Sequence, residues 1–176
     1  MQDFVVPHDP AWAGQFDDEA AAIRAALGDS ALAIHHIGST SIPGILAKPI
    51  VDILVEIPSL DDLDRISPAM IDLGYQAMGA FGIPGRRYFR KDDADGARTH
   101  HVHAFGAGTP HVVRHLAFRD FLRARPDVAW AYSDLKRRLV AQPGMTREAC
   151  MDGKDPFIQR TEAEAIAWSR AAGNQR

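Results

Sequence analysis

The run from Pro49 to Ile57 is almost wholly apolar, and it constrains the fold more than any other part of the sequence. Such a run predicts a central β-strand that other elements cover on both faces. Asp52 interrupts the run, and an unpaired carboxylate costs several kcal/mol to bury inside an apolar strand. The sequence therefore predicts a cation, a metal or hydrogen-bond donors beside Asp52.

Periodicity and turn residues predict the other elements and an α/β protein, with a mixed sheet of about five strands flanked by helices. Asp9 and Pro10 begin the first helix, which ends near Gly28. Strands are predicted at 31–37, 49–57, 75–80, 86–91 and 98–105, and further helices at 59–73, at 109–125, from 126 to the break at 142–144, and at 146–171. Pro156 is expected to kink or divide the last helix. No linker or repeat interrupts residues 1–176, which predicts a single domain.

Composition excludes several classes of protein. The chain is 46% apolar and 24% charged with a net charge of −3, which is ordinary for a globular protein and gives no general attraction for nucleic acid or an anionic membrane. Cys150 is the only cysteine, so neither an intrachain disulfide nor a Cys-based zinc site is possible. The first four residues lack signal-peptide features and no run approaches ~20 apolar residues, so we expect a cytoplasmic protein.

Gly38, Ser39 and Thr40 follow the first predicted strand and form a candidate phosphate site. Glycine lets the backbone approach an anion, while N–H groups and two hydroxyls donate to its oxygens. The alternative is a turn whose hydroxyls cap a short helix. A Gly-Ser pair, a spacer of about a dozen residues and then Asp52 resembles the polymerase-β-type nucleotidyltransferases, in which strand carboxylates hold divalent metal. That superfamily usually has a second acid two residues on, where this chain has Leu54.

His101 and His103 lie two residues apart on a predicted strand, so they share one face while His100 points away. If this strand lies beside that of Asp52, the three side chains could bind a divalent cation as a mixed Asp/His/His set. The histidines could instead be paired within the sheet without a ligand. Asp52 could likewise be a structural carboxylate paired with Arg98.

Basic side chains form a third set of candidates, of which Lys48, Arg98 and Arg119 are the best placed to neutralise a phosphate. Arg119 could instead form a structural ion pair with Asp120. The wider set also contains Arg86, Arg87, Arg114 and Lys154.

Four segments together resemble the GrpB family, also designated UPF0157, over nearly the whole chain: 37–44, 48–53, 98–103 and 118–123. The segment 153–158 also fits, with Cys150 where a tyrosine is more usual. The resemblance implies a polymerase-β-like nucleotidyltransferase fold, also found as an appendage of some bacterial dephospho-coenzyme A kinases. The family has no generally established reaction.

These observations favour a metal-assisted nucleotidyl- or phosphoryl-transferase acting on a nucleotide or a phosphorylated small molecule. Gly38, Ser39 and Thr40 would hold phosphate, and Asp52 with His101 and His103 would bind Mg, Mn or Zn. A non-catalytic nucleotide- or anion-binding module is the alternative that Leu54 supports. A metal-dependent hydrolase using the same Asp/His set is a third possibility.

Overall fold

The computed structural model describes residues 5–173, apart from the side chains of Leu60 and Arg147. Within these residues, five α-helices span α1 Ala11–Leu27, α2 Leu60–Asp72, α3 Pro110–Ala124, α4 Pro126–Val140 and α5 Arg147–Gly173. Five strands span β1 Ala33–Ile37, β2 Val51–Ile57, β3 Gln76–Ala77, β4 Arg86–Asp92 and β5 Arg98–Gly106. Short 3-10 turns follow α1 and β1, at Gly28–Ser30 and Ser39–Ser41. Within the described residues no helix has both the length and the apolar character needed to cross a membrane.

Local capping signals place the starts of the first two long helices. The Asp9 carboxylate accepts a hydrogen bond from the Ala11 amide at 2.9 Å, which satisfies one of the free N–H groups at the start of α1. The Ser59 hydroxyl accepts from the Asp62 amide at 3.3 Å and caps α2 in the same way. Helix α1 begins at Ala11, one residue after the predicted first position at Pro10, and the predicted cap of α2 at Ser59 is confirmed.

The strands form one mixed sheet in the order β1-β2-β5-β4-β3, so the predicted five-stranded mixed sheet is confirmed. The apolar strand β2 lies between β1 and β5, antiparallel to β1 and parallel to β5. Strands β4 and β3 continue the sheet in antiparallel pairs beyond β5. Because β2 has a strand on each side, Asp52 lies between two neighbouring strands.

The two faces of β2 belong to different layers of the core. Val51, Ile53 and Val55 pack into a cluster with residues of α1 and α2. Leu54 is fully buried on the opposite face, in a cluster with Phe105 of β5 and Val112 of α3. Since strand side chains alternate, Asp52 shares the α3 face with Leu54.

Several predicted bounds differ from the structure. Strand β1 begins at Ala33 rather than 31, and β3 is only two residues long, although 75–80 was predicted as a strand. Helix α5 is one element through Pro156, so the expected division is wrong. Contacts with α3 and α4 support α5 along its length, and these tertiary contacts offset the local loss of a backbone hydrogen bond.

Candidate functional site

Asp52 lies where β1, β2 and β5 meet. It is paired with Ile37 across the antiparallel ladder and with His101 across the parallel ladder. Its Oδ1 atom accepts a hydrogen bond from His101 Nδ1 at 3.1 Å, and His103 Nε2 lies 3.8 Å from the same oxygen. The three side chains therefore lie together at one point of the sheet.

The Asp52 carboxylate is only partly covered, with 26% of the side chain exposed. Burial by itself raises the pKa of this carboxyl, but the hydrogen bond from His101 and the nearby N–H of His103 more than offset it. The pKa of Asp52 is consequently held well below its usual value. Asp52 is therefore an ionised carboxylate at neutral pH.

Gly38 fits against this carboxylate because it has no side chain. Its φ is 69°, in the left-handed region, and a Cβ at this position would lie 2.5 Å from Asp52 Oδ2. The glycine therefore allows the turn after β1 to lie directly on the site. Ser39 to Ser41 form a 3-10 turn there, and the Ser41 hydroxyl donates to the Gly38 carbonyl at 2.7 Å.

A small cavity of about 40 Å³ lies beside this turn. Its lining residues come from five separate parts of the chain: Val5, Ser39, Thr40, Lys48, Ile50, Asp52, Lys136 and Lys154. Three of the four lysines in the sequence line this one cavity. The fourth, Lys91, forms an ion pair with Glu19 at 2.8 Å. Lysine is thus concentrated around one cavity of a chain with net negative charge.

Lys136 of α4 is the most deeply buried of these lysines, with 2% exposed. Its Nζ donates to Ser39 Oγ at 3.0 Å and to the Leu46 carbonyl, and it lies 4.3 Å from the centroid of the Tyr132 ring. Burial first, and then the positive charge of Lys154, lower the pKa of Lys136 to about 7. Lys136 therefore ties α4 to the Gly-Ser-Thr turn and is only partly charged near neutral pH.

Lys154 of α5 and Lys48, which precedes β2, are partly exposed. Burial, followed by the charge of Lys48, lowers the pKa of Lys154. The charge of Lys48 thus disfavours the protonated form of Lys154, and that of Lys154 disfavours the protonated form of Lys136. A bound anion would relieve this repulsion.

His103 is held from its other side by Arg86 of β4, whose Nη1 lies 3.4 Å from His103 Nδ1. A guanidinium can only donate, so His103 Nδ1 must accept. The proton of the neutral ring then lies on Nε2, which faces Asp52. Both histidines therefore present an N–H toward the carboxylate.

Arg98 and Arg119, two predicted phosphate ligands, do not line this cavity. Arg98 Nε forms an ion pair with Asp92 beside the turn of the β4–β5 hairpin. Arg119 pairs with Asp120 at 2.7 Å and donates to the His36 carbonyl at 3.2 Å, as in the alternative structural interpretation of this residue. Both guanidinium groups therefore have partners within the protein.

Lys136 and Lys154 are the site residues that the sequence interpretation missed. The sequence places Lys154 only in the wider basic set, and it gives no phosphate role to Lys136. The sequence does contain a signal for Lys136, since it lies four residues after Tyr132 and three before Leu139, on the buried stripe of α4. A lysine on an apolar helix face needs a polar partner, and here that partner is the Ser39 turn.

The Asp/His/His set does not have the geometry of a metal centre. Across residues 5–173, no three His, Cys, Asp or Glu side chains are arranged to hold one ion. The His101 and His103 ring centroids are 6.5 Å apart with planes at 87°, and Asp52 already accepts a hydrogen bond from His101. The divalent metal therefore stays a prediction.

The chain is a mixed α/β protein in which a Gly-Ser turn lies against a carboxylate of the central strand. The family model described as "GrpB protein" matches residues 4–164, and the chain belongs to the GrpB family. The crystal structure of the conserved protein GrpB from Enterococcus faecalis is similar to this structure, with a TM-score of 0.87. The two sequences are 40% identical, and the match covers 94% of this chain and 98% of that one.

Curated relatives include the UPF0157 protein YqkA of Bacillus subtilis, 41% identical over 170 residues, which are 97% of this chain and 49% of that protein. A dephospho-CoA kinase of Mycobacterium leprae is 30% identical over 197 aligned residues, covering 96% of this chain and 48% of the kinase. The chain thus spans about half the length of each of these two relatives.

Proposed function

We propose that the protein binds the phosphate group of a nucleotide or a phosphorylated small molecule in the cavity between the Ser39 turn, α4 and α5. The observation that carries the proposal is the convergence of Lys48, Lys136 and Lys154, three of the chain's four lysines, on one cavity. Ammonium groups are common ligands of phosphate, and a partly desolvated site strengthens their attraction.

The hydrogen bonds around Ser39 leave it suited to donate to an anion. Its hydroxyl oxygen accepts from Lys136 Nζ, so its proton is directed away from the lysine. Thr40 lines the same cavity and its hydroxyl is fixed by His36 Nε2 at 2.9 Å. The turn therefore presents oriented hydroxyls beside the three ammonium groups.

The size of the cavity limits what it can hold. A volume of about 40 Å³ has room for roughly three water molecules or one phosphate group. The remainder of any ligand would lie outside the cavity. The similarity to dephospho-CoA kinases supports a nucleotide-related ligand, since that name denotes a kinase acting on a nucleotide-containing substrate.

Phosphoryl or nucleotidyl transfer at the same cavity is a second candidate. The observation that favours it is the ionised Asp52 carboxylate on the cavity wall, hydrogen-bonded to His101. A carboxylate in this position can accept the proton of an attacking hydroxyl. The binding proposal requires only the lysines and hydroxyls, whereas transfer also requires Asp52.

Isothermal titration calorimetry with AMP, ATP and pyrophosphate, in EDTA and then with Mg, Mn or Zn, tests the proposal. Loss of a charge-assisted hydrogen bond costs about 1.5–3 kcal/mol, so Lys154→Met should weaken AMP binding about 10- to 150-fold. Lys91→Met is the matched control, because it removes the one lysine that lies away from the cavity. It should bind AMP like the wild type.

The titrations with divalent metal and the Asp52→Ala variant distinguish phosphate binding from metal-assisted transfer. Binding in EDTA that depends on Lys154 supports the lysine cavity. Binding that requires a divalent metal and disappears in Asp52→Ala contradicts it and supports the metal-assisted transferase. Product formation from ATP and a hydroxyl acceptor that is lost in Asp52→Asn, with AMP affinity retained, would establish transfer as an additional activity.

A further inference from the structure

The loop between β3 and β4 presents one exposed aromatic ring in a strained backbone conformation. Phe81 is 60% exposed, and among the described residues it is the only non-glycine with a positive φ, at 45°. A single exposed apolar side chain is ordinary, but a bulky residue in this region costs about 1–3 kcal/mol. The fold therefore retains a strained aromatic residue where glycine or a polar residue would fit more easily.

Hydrogen bonds from the Arg86 side chain hold this loop in place. Its guanidinium, which is largely buried, donates from Nε to the Ala80 carbonyl at 3.1 Å and from Nη2 to the Phe81 carbonyl at 2.7 Å. The same group contacts His103 Nδ1 through Nη1. One side chain thus joins the backbone of Phe81 to the residues around Asp52.

Aromatic side chains connect Phe81 with the cavity. The Phe81 and Tyr88 ring centroids are 5.3 Å apart, and the Tyr88 and His101 centroids are 5.5 Å apart. His101 in turn donates to Asp52, which lines the cavity. A short row of rings therefore runs from the exposed Phe81 to the edge of the proposed phosphate site.

We propose that the Phe81 ring stacks on the nucleobase of a nucleotide whose phosphate occupies the lysine cavity. This inference rests on the proposed function and names its ligand class, because the cavity has room for little more than a phosphate group. Stacking uses the π-face that every base has, so the site selects nucleotides over sugar phosphates with little preference among bases.

Calorimetry with ATP, GTP, CTP and UTP, and with inorganic tripolyphosphate as the base-free probe, tests this inference. Stacking is worth about 1–3 kcal/mol per base, so Phe81→Ala should weaken nucleotide binding about 5- to 150-fold. Tripolyphosphate affinity should be unchanged. Trp130→Ala is the matched control, since Trp130 is an aromatic residue of α4 that is 61% exposed.

Two further variants keep the result interpretable. Phe81→Gly removes the ring and relieves the positive φ, so it should fold and still lose the preference for nucleotides. Phe81→Tyr should retain that preference. Equal affinity of wild type for tripolyphosphate and ATP, or nucleotide binding unchanged in both Phe81→Ala and Phe81→Gly, overturns the stacking site and leaves the phosphate cavity intact. Absence of binding by tripolyphosphate and all four nucleotides overturns the cavity itself.

Discussion

Phosphate binding by the lysine cavity should weaken as the pH rises from 7 to 9. Burial and the nearby charge of Lys154 lower the pKa of Lys136 to about 7, while Cys150 opposes this shift. In the free protein Lys136 thus loses its proton over this range. A bound phosphate stabilises the ammonium form and raises the pKa again, so binding above pH 7 takes up a proton.

The expected loss of affinity follows from the size of the pKa shift of Lys136. If the anion restores the ordinary lysine pKa of 10.5, the affinity falls about fivefold from pH 7 to 8 and about ninefold from pH 8 to 9. The pKa of Lys154 is also lowered, and it shifts the result in the same direction. Phosphate monoesters lose their second proton near pH 6, so the charge of AMP changes little over this range.

Calorimetry of AMP binding at pH 7, 8 and 9 measures the effect. At pH 8, titrations in two buffers with different ionisation enthalpies should differ in apparent enthalpy because a proton is taken up. Lys136→Met should bind more weakly at pH 7 and lose most of the pH dependence, whereas Lys91→Met should keep it. Equal affinity at pH 7 and 9, with no effect of buffer, would refute the reasoning.

Three substitutions test other parts of the site. Gly38→Ala should lower the free energy of unfolding by roughly 1–3 kcal/mol in urea titrations. The new Cβ would meet Asp52 Oδ2, and the φ of 69° is strained for alanine. An unchanged urea midpoint would contradict this prediction. Leu54→Asp should unfold the protein or shift its thermal midpoint strongly downward, since an unpaired carboxylate would replace a fully buried side chain; a native circular dichroism melt would count against it. Because the pKa of Asp52 is lowered, its stabilisation is present above pH 3.8 and is lost as the pH falls toward the pKa of the folded state. Acid titration of Asp52→Asn should show a smaller loss of unfolding free energy below about pH 4 than wild type, and equal losses would contradict the assignment.

The sequence predicted the part of the site that lies on regular strands. The apolar run around Asp52 indicated a central strand, and the two-residue spacing of His101 and His103 put both rings on one face. Whether those strands were neighbours depended on sheet order, which residue spacing does not determine. The parallel pairing of β2 with β5 supplied that missing step.

The basic side of the site was harder to predict because helices bring it from distant parts of the chain. Lys136 lies 97 residues from its partner Ser39, so only the packing of α4 shows that they meet. Arg98 and Arg119 fitted a phosphate role by residue type, but nearby acids and carbonyls already occupy their donors. The charge of a side chain is visible in the sequence, whereas its partner is a property of the fold.

A crystal structure of the protein grown with AMP in EDTA is the most direct test of the phosphate cavity. We expect phosphate oxygens about 2.7–2.9 Å from the Nζ atoms of Lys136 and Lys154, with a hydrogen bond from Ser39 Oγ. Phosphate bound instead at Arg98 or Arg119, with the lysine cavity empty, would contradict the account.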